Sequence, residues 1–344
     1  MSLREEIFEQ PAVLKRWLET QMDQVQRIAG AIRGREIEYV FLAARGTSDH
    51  AGVYGQYLWG ALNHLPVAFA APSLFTLYGG WPRLSKALVI GVSQSGQSPD
   101  VVSVLTEGRK QGALTLAITN APESPLAKAA EYHLDVHAGP EKAVAATKSY
   151  TAELLAVAAL SASLSLDQQR LKALWKLPQF VEQALQLDSR AGVLAQELKD
   201  MNRCVVLGRG YNYATAMEWS LKLKELSYVF ADPYSSADFL HGPIAIVEPG
   251  FNVLVLAPNG AVLPDLMAVM QRLREQGAKL LVLSDDVHAL ALGHESLRLP
   301  AGVPEWLSPI VSIVPAQLFA YHLTRAKGFD TESPRGLRKV TLTR

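Results

Sequence analysis

The segment 99-PDVVSVLTEGRKQGALTLAIT-119 has the pattern of a helix followed by a buried strand, and it recurs later in the chain as 264-PDLMAVMQRLREQGAKLLVLS-284. A second pair of segments, 39-YVFLAARG-46 and 203-RCVVLGRG-210, matches at nearly the same offset. Self-similarity at a fixed offset indicates an internal duplication. The sequence therefore predicts two domains that are copies of one structural unit.

Short apolar runs alternate with helical patterns in each copy. Apolar runs without polar alternation are typical of parallel strands that are covered on both faces. In the first copy these runs lie at 38–44, 87–92, 113–118 and 132–137, and helical patterns lie between them at 49–62, 99–112 and 123–131. This alternation predicts an α/β fold of two tandem, doubly wound parallel sheets of the flavodoxin-like kind.

The domain organisation follows from the repeat. We expect an N-terminal helical segment at 1–30, whose helix pattern runs over 10–33, and a first domain at 31–180. A second domain is expected at 181–330 and a C-terminal tail at 331–344. A long helical stretch, 149–196, should join the two domains.

Composition narrows the function classes. The chain has 33 basic and 33 acidic residues, so it lacks the excess of basic residues that is typical of nucleic-acid-binding proteins. Apolar residues make up 49% of the chain, which is enough to form buried cores. Its one cysteine, Cys204, lies in an apolar run. We therefore expect Cys204 to be buried in a strand and not to act as a nucleophile. Neither a signal peptide nor a membrane-length apolar run is expected, so we predict a cytoplasmic protein that handles a small molecule.

No metal or cofactor is predicted. His133 and His137 are four residues apart on a predicted strand, and a third ligand is not evident. The glycine pattern 208-GRG-210 lacks the third glycine of a dinucleotide fingerprint, and the phosphate-loop motif GxxxxGK[ST] is absent.

The loop in 89-VIGVSQSGQSPD-100 joins a buried strand to a helix and is rich in hydroxyl groups. Ser98 suits the N-cap and Pro99 the first helical position. A helix N-terminus offers free N–H groups and the positive end of the helix dipole, so a phosphate fits here. The alternative is a capped turn filled with polar residues.

The second copy lacks these hydroxyls, since Ser93, Gln94, Ser95 and Ser98 correspond to Pro258, Asn259, Gly260 and Leu263. A polar ligand is therefore expected in the first copy only. The segment 44-ARGTSDHAG-52 places Thr47 and Ser48 at another strand end, where ligands of open parallel sheets bind. Asp49 and His50 in that segment are more typical of helix capping than of ligand contact.

Several segments together resemble the sugar isomerase (SIS) domain family. They are the SQSG loop, the RGTS loop, 139-GPEKAVAATKSYTAEL-154, 219-WSLKLKELSYVFADPYSSADFLHGP-243 and 334-PRGLRKVTLTR-344. The resemblance covers nearly the whole chain. It is strongest to the isomerase half of glucosamine-6-phosphate synthase and to stand-alone glucosamine-6-phosphate deaminases of the SIS type.

The resemblance implies a set of site residues. Ser93, Gln94, Ser95 and Ser98 would hold a sugar phosphate, with Ser48 beside it and the backbone of Val144 on the sugar. The catalytic residues would be Glu225, its neighbour Lys222, the ring-opening His241 and the tail residue Lys339, with the tail covering the site. In the family the histidine comes from the neighbouring subunit, which implies a homodimer.

Two departures bear on the substrate. Ala143 and Ala146 stand where the synthase has a glycine and a serine. The contact that the synthase serine makes with a sugar hydroxyl is therefore not predicted for this chain. The glutaminase domain of the synthase, with its terminal cysteine nucleophile, is not expected here. The sequence of residues 144–149, VAATKS, is more similar to the deaminases than to the synthase.

The implied chemistry is an aldose–ketose interconversion. One carboxylate can take a proton from C2 and return it to C1 once the ring is open, which fits Glu225. Lys222 lies three residues before Glu225 on a helical run and shares its face, although a plain surface ion pair is the alternative. A histidine such as His241 can carry a proton to the ring oxygen. Lys339 could form a Schiff base or stabilise the enolamine oxygen.

The predicted function is a phosphosugar isomerase/deaminase that converts glucosamine 6-phosphate to fructose 6-phosphate and ammonia. One alternative is a sugar-phosphate sensor without catalysis. Others are a glutaminase-less synthase that aminates fructose 6-phosphate and a deglycase of another amino sugar phosphate.

Overall fold

The computed structural model describes residues 2–340, and the chain forms two compact units that each contain one sheet. The first-sheet unit consists of 12–141, 146–176 and the tail from Arg338 onward. The second-sheet unit consists of the N-terminal segment through Pro11, 142–145 and 177–337. The predicted domain bounds stay a prediction, and residues 341–344 of the predicted tail lie outside the described residues.

Each sheet has five parallel strands. The strands are β1 (Tyr39–Ala43), β2 (Val67–Phe69), β3 (Ala87–Val92), β4 (Leu114–Thr119), β5 (Tyr132–Asp135), β6 (Arg203–Gly208), β7 (Phe230–Ser235), β8 (Asn252–Leu256), β9 (Lys279–Ser284) and β10 (Glu295–Arg298). Their order is β2-β1-β3-β4-β5 in one sheet and β7-β6-β8-β9-β10 in the other. The two orders are equivalent, which confirms the predicted duplication and the doubly wound parallel fold.

Helices flank both sheets. They are α1 (Leu3–Phe8), α2 (Gln10–Arg33), α3 (Thr47–Asn63), α4 (Ser73–Thr76), α5 (Pro99–Lys110), α6 (Pro125–Ala129), α7 (Lys148–Leu164), α8 (Gln168–Leu174), α9 (Leu177–Leu185), α10 (Asp188–Glu197), α11 (Tyr213–Ser227), α12 (Ser236–Leu240), α13 (Leu263–Glu275), α14 (Val287–Leu292) and α15 (Ser308–Ala326). Every residue of the central strands β3 and β4 is buried. Continuous apolar runs therefore mark these strands because helices cover both faces of the sheet.

The stretch predicted as one helical connection at 149–196 is four helices, α7 to α10. Leu166 ends the run after α7 because its φ is +54°, in the left-handed region. Asp167 then starts α8 by accepting hydrogen bonds from the backbone N–H groups of Gln169 and Arg170. The first two of these helices belong to the first-sheet unit and the last two to the second-sheet unit.

One helical segment has the length and hydropathy of a membrane span. It runs over Glu305–Ala326 and includes α15, but 94% of its apolar window is buried within the protein. Buried core helices share this composition, and α15 contacts α9, α10 and α11 of its own unit. Cys204 lies buried in β6, as the sequence predicts.

Candidate functional site

The carboxyl ends of β1 and β3 lie side by side at the point where the strand order of the first sheet reverses. Ala43 of β1 pairs with Gly91 of β3, while β2 follows β1 on its other side. Open parallel sheets bind ligands in the crevice outside such a switch point. The two predicted loops leave these strand ends, so the fold brings Ser48 to the same edge as the serine loop.

The serine loop turns tightly at Gly96, whose φ is +61°. Its N–H donates to the carbonyl and the hydroxyl of Ser93, at 3.1 and 3.2 Å. A Cβ on Gly96 would lie 2.1 Å from the hydroxyl oxygen of Ser124, so only glycine fits. Gln94 and Ser95 are half-buried on this turn, and the carbonyl of Gln94 accepts from the N–H of Asn120 at 3.1 Å.

Ser98 occupies the N-cap position of α5, as predicted, but its hydroxyl makes no capping hydrogen bond to the helix. Pro99 follows at the first helical position and has no N–H to satisfy. Ser98 is half-buried. Its hydroxyl is therefore not used by the helix and can donate to a ligand anion at the helix N-terminus.

An ion pair fastens the two loops of the switch point to each other. Nε of Arg45, after β1, lies 2.8 Å from Oδ2 of the fully buried Asp100 in the first turn of α5. The second unit repeats this pair, with Arg209 3.4 Å from Asp265. Because both copies keep the arginine–aspartate pair and only one keeps the serines, the pair is part of the common scaffold and the serines are not.

Ser48 is buried near the start of α3, and its hydroxyl donates to Oε1 of Glu153 at 3.0 Å. Glu153 is a buried carboxylate of α7. With its hydrogen directed at Glu153, the Ser48 oxygen presents only lone pairs to a ligand, so donation to a phosphate requires the hydroxyl to rotate. Burial raises the pKa of the neighbouring Asp49, which lies in the first turn of α3.

The switch point of the second sheet is filled by protein. A Cβ on Gly260, which corresponds to Ser95, would lie 2.2 Å from the side-chain carboxyl carbon of Glu305. The backbone N–H of Asn259 donates to Asp285 at 2.7 Å. The carboxylates of Glu305 and Asp285 therefore lie against the loop after β8, where they would repel a phosphate.

Helix α11 carries a chain of three charges in the second-sheet unit. Nζ of Lys222 lies 2.7 Å from Oε2 of Glu225 and 3.2 Å from Oε1 of Glu218. Burial acts to lower the pKa of Lys222, but the carboxylates of Glu218 and Glu225 outweigh it and hold the pKa above its usual range. Glu218 was not predicted as a site residue, although its spacing of four residues from Lys222 places it on the same helix face.

Glu225 is the partly exposed member of this chain of charges. Its side chain is 22% exposed, whereas those of Lys222 and Glu218 are 1% and 0% exposed. A carboxylate that meets solvent on one side and a buried cation on the other can accept a proton and return it. The predicted face sharing of Lys222 and Glu225 is thus observed as an ion pair.

His241 and Val144 also lie in the second-sheet unit. His241 is exposed and follows α12, where its backbone N–H donates to the carbonyl of Asp238 at 3.0 Å. Val144 follows a backbone stretch held by the buried Glu6 of α1. This carboxylate accepts from the N–H groups of Lys142 at 2.5 Å and Ala143 at 3.2 Å. Glu6 thereby fixes the chain immediately before the predicted sugar contact.

Lys339 lies in the first-sheet unit, where its Nζ donates to Oε2 of Glu141 at 2.8 Å. The Glu141 side chain is fully buried, and Thr147 and Ser149 donate to it as well. Burial acts to raise the pKa of Glu141, but Lys339 and these hydrogen bonds outweigh it and hold the pKa below its usual value. Within residues 2–340 there is no cluster of three or more His, Cys, Asp or Glu side chains suited to a metal ion.

The comparison with protein families gives one match in each half of the chain. The model for the SIS domain matches residues 35–163 and again residues 197–326. These two spans each contain one of the sheets.

Known proteins match nearly the whole chain. This chain is 32% identical to the glutamine–fructose-6-phosphate aminotransferase (isomerizing) of Pyrococcus horikoshii. The match covers 97% of this chain and 56% of the relative. The crystal structure of a candidate phosphosugar isomerase from Silicibacter pomeroyi matches with a TM-score of 0.88 and 34% identity, over 96% of this chain and 100% of the other. The C-terminal domain of the glucosamine-fructose-6-phosphate aminotransferase of Francisella tularensis matches with a TM-score of 0.87 and 27% identity, over 96% and 98%.

Proposed function

Because this chain belongs to the SIS domain family, we propose that it is an enzyme that deaminates an amino sugar phosphate, with glucosamine 6-phosphate converted to fructose 6-phosphate and ammonia. The observation that carries the proposal is the partly exposed Glu225 carboxylate, held 2.7 Å from the buried amine of Lys222. A plain surface ion pair would not bury its lysine completely or back it with a second carboxylate.

The phosphate is proposed to bind in the first-sheet unit. Ser93, Gln94, Ser95 and Ser98 supply hydroxyl and amide groups at the switch point, with Ser48 beside them. The unused hydroxyl of Ser98 supports this role, as does the absence of these serines from the second copy. The N-terminus of α5 adds a favourable dipole for the anion.

The proton shift is proposed to run through Glu225. Its carboxylate takes the proton from C2 of the open-chain aldose, which gives an enolamine with its double bond between C1 and C2. The same group returns the proton to C1, which leaves an imine at C2. Water then adds to that imine and releases ammonia, so the product is the ketose phosphate.

The remaining catalytic roles are also proposals. Lys222 positions the Glu225 carboxylate through their ion pair of 2.7 Å. His241 carries the proton that opens the sugar ring, and it is exposed as such an exchange with the ring oxygen requires. We further propose a cytoplasmic homodimer in which His241 serves the partner subunit's site.

Amination of fructose 6-phosphate is a second candidate, favoured by the names of the curated relatives, which are aminotransferases. This chain spans little more than half of such a relative. The reaction would then need ammonia in solution or from another subunit.

The test is release of ammonia and fructose 6-phosphate from glucosamine 6-phosphate by the purified protein. Glu225→Gln should abolish turnover while binding of the sugar phosphate, measured by calorimetry, persists. Glu275→Gln removes an exposed carboxylate of α13 in the same unit and should leave turnover unchanged. Binding without turnover in the wild type would contradict the proposal and favour the sensor. No ammonia release by the protein alone, with glucosamine 6-phosphate formed from fructose 6-phosphate only when an ammonia-supplying subunit is added, would favour the synthase.

A further inference from the structure

The N-terminal helix α1 carries a buried glutamate that binds the backbone of a segment 136 residues away in sequence. Glu6 accepts hydrogen bonds there from the N–H groups of Lys142 and Ala143, directly before Val144. We propose that Glu6 is a positioning residue that holds this segment so that the backbone of Val144 can bind the sugar. The inference rests on the proposed function, because it concerns the binding of the same sugar phosphate.

Glu6 is itself held in place by the packing of α1. Its side chain is fully buried, as are those of Leu3 and Ile7 on the same short helix. Nη2 of Arg4 also lies 2.6 Å from Oδ2 of Asp188, which ties α1 to α10. The Glu6 carboxylate therefore belongs to a helix that the rest of the second-sheet unit has already fixed.

The segment 142–145 has neither helix nor strand of its own to hold it. Oε1 of Glu6 accepts from the N–H of Lys142 at 2.5 Å and from that of Ala143 at 3.4 Å, and Oε2 accepts from Ala143 at 3.2 Å. Within residues 2–340, the backbone N–H groups of Val144 and Ala145 have no hydrogen-bond partner in the protein. Glu6 is therefore the side chain that fixes the course of this segment.

The two backbone polar groups of Val144 can reach a ligand. Val144 is half-buried, whereas its neighbours Ala143 and Ala145 are buried. In the part of the chain that the structure describes, neither the N–H nor the C=O of Val144 is bonded to another residue. Backbone groups in a folded protein are normally paired, so these two groups are expected to meet water or a ligand. Sugar hydroxyls can accept from an N–H and donate to a C=O, so they suit both.

The position of Val144 depends on the two hydrogen bonds that precede it. By binding two successive N–H groups, Glu6 sets the direction in which the next peptide group points. A displacement of that peptide by about 1 Å would lose its contact with the sugar. The serine loop would not change, because it belongs to the first-sheet unit. The positioning role therefore predicts a loss of sugar affinity without a loss of phosphate affinity.

The first test needs no substrate. Hydrogen–deuterium exchange, read by mass spectrometry at single residues, measures the amides of Lys142 and Ala143. Glu6→Leu fills the buried space without an acceptor and should raise the exchange rate of both amides about tenfold or more. Glu6→Gln keeps one oxygen that can accept from both amides and should exchange as the wild type does. Unchanged exchange in Glu6→Leu would refute the positioning role.

The second test compares two probes. In calorimetry, fructose 6-phosphate should bind about tenfold more weakly to Glu6→Leu, and Glu6→Gln should restore its affinity. Inorganic phosphate, followed by phosphorus NMR, should bind equally to all three proteins. Glu5→Leu is the matched control, because it makes the same change at the neighbouring exposed position of α1 and should alter neither affinity. Loss of affinity for both probes, or for neither, in a folded Glu6→Leu protein would overturn the assignment.

The outcomes separate this inference from the proposed function. A loss of affinity for fructose 6-phosphate alone, in a protein that releases no ammonia, would support the positioning role and refute the deaminase. Ammonia release below KM that is unaltered by Glu6→Leu would refute the positioning role and leave the deaminase standing. If Glu6→Leu fails to fold, the wild type decides. The amides of Lys142 and Ala143 should then exchange slowly without ligand, and fructose 6-phosphate should slow the amide of Val144; equal exchange at all three, with and without the sugar phosphate, would refute the inference.

Discussion

Lys222 and Glu218 lie one helical turn apart on α11 and form an ion pair of 3.2 Å in which neither side chain is more than 1% exposed. Removing one partner of a buried pair leaves the other charge uncompensated. Lys222→Met should therefore lower the free energy of unfolding by about 3–5 kcal/mol. Urea denaturation followed by circular dichroism measures this change.

The double variant Glu218→Gln, Lys222→Met is the control for this prediction. It removes both buried charges and leaves Glu225, which reaches solvent, so most of the lost stability should return. A loss of less than about 1 kcal/mol in Lys222→Met would show that the pair behaves as a surface ion pair.

Gly96 should tolerate no side chain. Gly96→Ala meets both a positive φ and a contact of 2.1 Å with Ser124, so the serine loop must move. Gly112 also has a positive φ, of +79°, but its Cβ direction is open, which makes Gly112→Ala a control for backbone strain alone. We expect Gly112→Ala to lower the free energy of unfolding by about 1 kcal/mol without affecting sugar-phosphate binding, and Gly96→Ala to abolish binding in calorimetry. Equal binding by both variants would contradict a phosphate role for the loop.

The sequence predicted the sheets well because their strands are continuous apolar runs and their topology is repeated. It missed β2, a three-residue strand at the sheet edge in which no residue is fully buried. It also missed Glu218, because a glutamate four residues from a lysine is usually a surface ion pair, and only the fold shows that this pair is buried. The partner of Lys339 could not be found from spacing, since Glu141 is 198 residues away and only the fold brings them together.

Acid should weaken the contribution of Glu141 to stability. Its folded pKa is below the usual value of 4.5, so its stabilising effect is present above that pH and is lost as the pH falls through the folded pKa. The stability difference between wild type and Glu141→Gln should therefore be greatest near neutral pH and shrink below pH 4.5. Urea titrations from pH 7 to pH 3 measure it, and a difference that is constant over this range would contradict the charged state of Glu141.

Cys204 should be chemically inert in the native protein. Burial raises the pKa of its thiol to about 12, so almost no thiolate exists near neutral pH. Ellman's reagent should react with the thiol only after denaturation, and Cys204→Ala should keep full turnover. Rapid labelling of the native protein would contradict the buried placement in β6.

Ser98 provides a test that separates capping from ligand binding. Replacing an N-cap serine or aspartate with alanine usually costs about 1 kcal/mol of stability. Since the Ser98 hydroxyl makes no capping hydrogen bond, Ser98→Ala should cost much less than this. Asp167→Ala is the matched control, because Asp167 caps α8 with two hydrogen bonds and should show the full cost.

For ligand binding we expect the opposite order of effects: Ser98→Ala should weaken sugar-phosphate binding about tenfold or more, and Asp167→Ala should leave it unchanged. Calorimetry and urea denaturation on both variants measure these effects. A stability loss in Ser98→Ala with unaltered binding would show that Ser98 only caps the start of α5.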